Sequence, residues 1–179
     1  MLEGYSREQR LIHWTVAGLV VAQILIGISL AKLLQSSPEN ADELSRMLGL
    51  HGGTGTLLFV LMAWRLSLRR RLGVPPPPEG TPEDVSTLAR LNHLTFYVLL
   101  LAMPIVGWLA ASASGQQLSV FGLVHLPALI GKNQDVAAAL TRMHVASGYL
   151  LICLIGLHLM GVVYHTYMRR DGLLRRMTG

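Results

Sequence analysis

A chain of 179 residues is long enough for one ordinary domain, yet 51% of it is hydrophobic and only 14% is charged, which is too apolar for a typical soluble fold. The apolar residues gather into four runs of membrane-crossing length, which excludes a soluble enzyme, a disordered chain and a disulfide-built secreted scaffold. The net charge of +5 raises the question of nucleic acid, and the position of the cations answers it below.

Ser6, followed three residues later by Gln9, forms a capping-box signature, so the first helix is expected to begin ahead of the membrane and to carry His13 near its surface. The first apolar run, Leu11 to Leu34, exceeds the hydrophobic stretch of a secretory signal and lacks a small-x-small cleavage site at its end, so it reads as a retained span. Pro38 after Ser37 breaks the chain before the second run, Leu50 to Leu68. Pro75 to Pro78 mark the next connection, and Thr81, Pro82, Glu83 and Asp84 signal a short interfacial helix before the third run, Leu91 to Ala113. Pro104 is expected to kink that span, and Pro127 interrupts a longer third connection. The fourth run is Val145 to Tyr167, and Cys153 within it, the one cysteine, reads as a small buried hydrophobe. At 1.5 Å per residue each run covers about 28 to 36 Å, enough for a hydrocarbon core of roughly 30 Å. Trp14, Trp64 and Trp108 read as membrane-interface anchors or packing neighbours of a bound group. The expected architecture is all-α, an integral membrane four-helix bundle in one domain over residues 1–179.

Lysine and arginine set the orientation, because they accumulate on the cytoplasmic side. Eleven belong to one side: Arg7 and Arg10, five from Arg65 to Arg90, and four from Arg169 to Arg176. Lys32, Arg46, Lys132 and Arg142 belong to the other. Both termini are therefore expected in the cytoplasm, and the basic balance needs no nucleic-acid partner.

Five of the seven histidines, His13, His51, His93, His144 and His158, fall within or at the edge of the spans. An intramembrane imidazole must find a partner, and a hydrogen bond between helices is the ordinary one for any single residue. Spacing points further. His144 and His158 are fourteen residues apart, nearly four turns, so they share one helix face at about 21 Å separation. Topology pairs His51 with His144 on the outer side and His13 with His158 on the inner side. Gly55 and Gly148 each follow a histidine by four residues, which places a gap beside the ring where a flat macrocycle fits. Two imidazole pairs on different helices suit six-coordinate haem iron used for electron transfer, and the absence of a C-x-x-C-H motif makes each haem a b-type group held by ligation and packing. Zinc is a weaker fit, since it prefers four close N, S or O donors. His165, seven residues after His158, is a rival ligand, but choosing it would separate the irons by about 31 Å.

The order and spacing of Tyr5-Ser6-Arg7 with Ile12-His13-Trp14, His51 with Gly55, Asn92-His93-Leu94 ahead of Tyr97 and Met103-Pro104, and His144 with Gly148 and Gly156-Leu157-His158 resemble the bacterial cytochrome b-561 family, which includes the b-type subunits of membrane nickel-iron hydrogenases. The likeness covers nearly the whole chain. Its length is most similar to the short branch containing superoxide:ubiquinone oxidoreductases. The resemblance implies an inner-membrane protein with two haems b, one on His13 and His158 and one on His51 and His144, passing electrons from periplasmic superoxide to ubiquinone. In that setting Arg142 and Lys132 are the candidate cations guiding superoxide, and Arg142 could also pair with a haem propionate. His93 is expected at a haem propionate or a quinone carbonyl, and His125 in an interfacial loop. The alternative donor is a periplasmic dehydrogenase, hydrogenase or small cytochrome. An ion transporter is a poorer reading, because the four spans hold no carboxylate.

Overall fold

Ser6 opens the first helix through reciprocal bonds: its Oγ accepts the Gln9 N–H at 3.2 Å, and Gln9 Oε1 accepts the Ser6 N–H at 3.1 Å. The structure, a computed structural model, describes residues 4–35 and 41–179, so Ser37 and Pro38 lie outside the described residues. Four long helices follow one another: α1 (Arg7–Leu33), α2 (Ala41–Leu72), α3 (Glu83–Ser114) and α4 (Gln134–Val163). A π-helical turn over Tyr164–Arg169 continues α4, and a short α5 (Arg175–Thr178) closes the chain. All four long helices are apolar enough to cross a membrane. Their outward faces expose large side chains such as Leu11, Leu25, Val60, Leu94 and Leu159, as lipid-facing helices do.

The helices outrun the apolar stretches. α2 begins at Ala41 and α4 at Gln134, because a helix stops at a cap or breaker and not at the bilayer surface. For α4 that cap is Asn133, whose Oδ1 accepts the N–H groups of Asp135 and Val136, each at 3.1 Å. The separate interfacial helix expected before the third span is instead the first part of α3, which starts at Glu83 and runs unbroken to Ser114 with Pro104 inside it. No glycine or proline stands between Glu83 and Leu91 to divide it. Cys153 is exposed on the outside of α4 and is not a core residue.

The connection between α3 and α4 adds a two-stranded antiparallel hairpin, β1 (Ser119–Val120) and β2 (Val124–His125). It docks on the start of α2. A Cβ at Gly52 would come within 2.8 Å of Leu118, and one at Gly53 within 2.5 Å of the Phe121 ring, so two glycines make the seat for the hairpin.

Helix α1 packs on α2, α2 on α3, and α3 on α4, whereas α4 makes no comparably extensive contact with α1 or α2. The shared core is Ile12, Val16, Val20, Leu58, Met62, Leu68, Leu100 and Leu151. At one end both termini meet the α2–α3 connection: Trp14 Nε1 donates to the Met177 carbonyl at 3.1 Å, Gln9 Nε2 to Gly73 at 2.9 Å, and Arg176 Nη1 to Pro76 at 2.6 Å. This is the termini end, and the opposite one is the hairpin end. Trp108 anchors the latter by donating to the Pro127 carbonyl at 2.9 Å.

Candidate functional site

Helix α4 faces α1 and α2 across the sparsely packed side of the bundle, and imidazoles reach across it at two levels. Near the termini end the rings of His13 on α1 and His158 on α4 have centroids 6.3 Å apart at an interplanar angle of 56°. Near the hairpin end His51 on α2 and His144 on α4 are 5.9 Å apart at 72°. The histidine pairs expected from spacing are thus brought together in space.

The two levels are finished differently. His144 Nδ1 lies 3.2 Å from the Met103 carbonyl, so Nδ1 carries the proton there and Nε2 keeps its lone pair. His51 Nδ1 is buried without a partner, as is Gln23 Oε1, while Gln23 Nε2 donates to the His51 carbonyl at 3.0 Å. At the other level His93 on α3 stands 5.5 Å from His158, with Phe96 at 5.8 Å from the same ring and Trp14 at 5.1 Å from His13. Asn92, only 5% exposed, leaves its Oδ1 without a partner.

Glycines border both hairpin-end rings, and two of them are missed by reading along one helix. A Cβ on Gly27 of α1 would sit 3.3 Å from His51 Cε1, and one on Gly107 of α3 would sit 3.2 Å from His144 Cε1. They lie on neighbouring helices, so no spacing from a histidine on the same helix signals them. Gly55 and Gly148, expected to play equal parts, are unlike each other. Gly148 faces open space, but a Cβ on Gly55 would meet Gln23 Nε2 at 3.2 Å.

His165 is buried, yet it is committed elsewhere: its Nδ1 lies 2.6 Å from Asp171 Oδ2, and Arg169 Nε donates to the same oxygen at 3.1 Å. Its ring neighbour is Tyr164. The π-helical turn shifts the register just where the seven-residue spacing would have aligned it with His158. Burial works to raise the Asp171 carboxyl, but hydrogen bonds from His165, the Leu173 N–H and Arg169 outweigh it and hold the group below the usual carboxylate value. Arg142 is exposed on α4, and the aliphatic chain of Lys132 lies over Gly115, 3.1 Å from a Cβ built there. His125 is exposed on β2. Among the described residues no cluster of three or more His, Cys, Asp or Glu is arranged to hold a metal ion, so the donors that could hold a metal-centred group stand in pairs.

The family described as prokaryotic cytochrome b561 matches residues 4–179 of this chain. A probable superoxide oxidase of Yersinia pestis is 31% identical over 178 residues, covering 99% of this chain and 97% of that protein. Cytochrome b561 homolog 2 of Escherichia coli is 30% identical over 99% of this chain and 92% of its own length. Cytochrome b562 of Cereibacter sphaeroides is 28% identical over 97% and 94% respectively.

Proposed function

The chain belongs to the prokaryotic cytochrome b561 family, and from that membership we propose that it is a two-haem b cytochrome that carries electrons from superoxide at the hairpin end to ubiquinone. At the coarser level it is a cytochrome b561-type transmembrane electron carrier of the bacterial inner membrane. The observation that carries the finer reading is the close approach of two imidazole pairs, one between α4 and α1 and one between α4 and α2.

The donor set fits the group. A metal–imidazole bond of about 2 Å on each side plus the ring radii gives about 6 Å between centroids, and the observed separations are 6.3 and 5.9 Å. The partnerless His51 Nδ1 and the open space at Gly148 are further support at the hairpin-end level. His13 and His158 would hold one haem, and His51 and His144 the other. Bound haem b supplies reversible one-electron iron chemistry. The chain's own part would be to hold each haem by a pair of imidazoles, the donor set of electron-transfer haem and not of dioxygen-binding haem. Met103 fixes the His144 tautomer, and Gly27 and Gly107 set the rings by close packing. The fourteen-residue spacing on α4 stacks the two levels about 21 Å apart, across most of the bilayer.

The arginine bias supports termini in the cytoplasm and the hairpin end in the periplasm. Superoxide as donor is supported by the likeness to the Yersinia pestis protein and by short connections that suit a small reactant. Arg142 and Lys132 serve as guiding cations. Each superoxide gives up one electron and leaves as dioxygen, and ubiquinone takes two electrons and two protons to become ubiquinol. His93, 5.5 Å from the His158 ring, would serve a propionate or the quinone headgroup.

Anaerobic stopped-flow spectroscopy of the purified protein tests this. A superoxide pulse is expected to reduce the haems, and added ubiquinone to reoxidise them as ubiquinol forms. Haems that ignore superoxide but equilibrate with ubiquinol would assign the donor to a protein partner.

A further inference from the structure

We propose that Arg65 is the counter-ion for a propionate carboxylate of the haem held between His13 and His158; the inference rests on the two-haem reading above. Arg65 lies on α2 three residues after Met62 and three before Leu68, which are 2% and 4% exposed. That spacing puts its backbone on the core-facing stripe of the helix. The side chain is half-buried, unlike the exposed Arg70 and Arg71 one to two turns further on. Arg69 has an answer of its own in the Tyr97 ring, 5.8 Å from its guanidinium.

A guanidinium inside a membrane bundle is costly unless an anion meets it. Among the described residues the two ion pairs are both made to Asp171, by His165 and Arg169, and none involves Arg65. Among the described residues its hydrogen bond is a long one, 3.5 Å from Nη1 to the Gln9 carbonyl. That carbonyl stands one turn before His13. Arg65 therefore stands where α2 meets α1, beside the turn that leads into His13.

The anion that belongs there is one that accompanies the imidazoles. Haem b carries two carboxylates on flexible arms at one edge of the ring, and a guanidinium fork takes a carboxylate through two parallel bonds. Arg65 would orient that edge toward the termini end. A positive charge near an iron also favours its reduced state, so Arg65 raises the midpoint potential at this level and draws the electron inward.

Redox titration of the haem-loaded protein, followed by its visible bands, reads the effect. Arg65→Gln is expected to lower the midpoint of one haem and leave the other in place, with Arg65→Lys recovering most of the shift. Unchanged midpoints in Arg65→Gln would overturn the proposal. Reconstitution with haem whose propionates are methyl esters supplies a second measurement. The native protein is expected to retain the free acid about tenfold more tightly than the ester at the termini-end level, and Arg65→Gln to treat the two alike. Should Arg65→Gln fail to accumulate, the native comparison decides: equal retention of acid and ester refutes the carboxylate contact. Native protein that takes up no haem at all would sink the two-haem reading instead, so the two failures are distinct.

Discussion

The two ends of the molecule offer the same pair of imidazoles in opposite surroundings. At the hairpin end, glycines press against the rings, one imidazole nitrogen is left bare, and the neighbours are Gln23 and Met103. At the termini end a third histidine and two aromatic rings crowd the two imidazoles, and Arg65 bonds to the Gln9 carbonyl one turn before His13. On the proposed two-haem reading, equal ligands in unequal fields would give unequal affinity for an electron, with the positive end the stronger acceptor. The difference between the two ends thus lies in the second neighbours, while the paired imidazoles are alike.

Removing a ligand is the coarsest way to break the comparison. His144→Ala is expected to abolish the hairpin-end site and His13→Ala the termini-end site, each halving the haem-to-protein ratio measured from the pyridine haemochrome. Loss of both haems from either variant would mean that the two levels do not fold independently. Next comes the glycine packing. Gly107→Val forces a side chain against an imidazole that a bare Cβ already meets at 3.2 Å, and overpacking of this kind costs about 1 to 3 kcal/mol. Thermal release of haem should be earlier from that variant, from the hairpin-end level alone. Gly148→Ala, whose methyl would enter the open space offered to the macrocycle, is expected to release haem earlier in the same assay by a smaller margin.

Two smaller effects sharpen the picture. Asp171 has a lowered pKa in the folded chain, so the stability it contributes is present above the unfolded carboxylate value and is lost as pH falls through the folded one. Limited proteolysis of the C-terminal segment should therefore accelerate in acid, and Asp171→Asn should cut readily at neutral pH with little further change below it. The smallest change is expected from Arg142→Ala with Lys132→Ala, which should slow superoxide-driven haem reduction by less than about tenfold, and only at low ionic strength. A loss that persists in high salt would mean that these cations touch the reactant and do not merely steer it.

Much of this was legible in the sequence, because membrane length and helical period are local properties. The four apolar runs and the Ser6 capping box lie in continuous stretches, and fourteen residues between His144 and His158 fix a face on one rigid rod. What escaped detection depends on neighbours distant along the chain. Gly27 and Gly107 act on rings of other helices, Gln23 fills the gap expected at Gly55, and Arg65 read only as one more inner-side cation. His165 was lost to a different cause, a change of helical pitch that no apolar pattern announces.

The sparse contact between α4 and the α1–α2 hairpin carries a consequence for biogenesis. Each helical hairpin has an apolar interface of its own and α2 on α3 joins the two, but the remaining seam, between α4 and the α1–α2 pair, is lightly packed and lies beside the paired histidines. On the two-haem reading, newly made chain deprived of porphyrin would then hold α4 only along α3, open to intramembrane proteolysis. Supply of the pigment, more than synthesis of the polypeptide, would set how much mature protein the cell keeps.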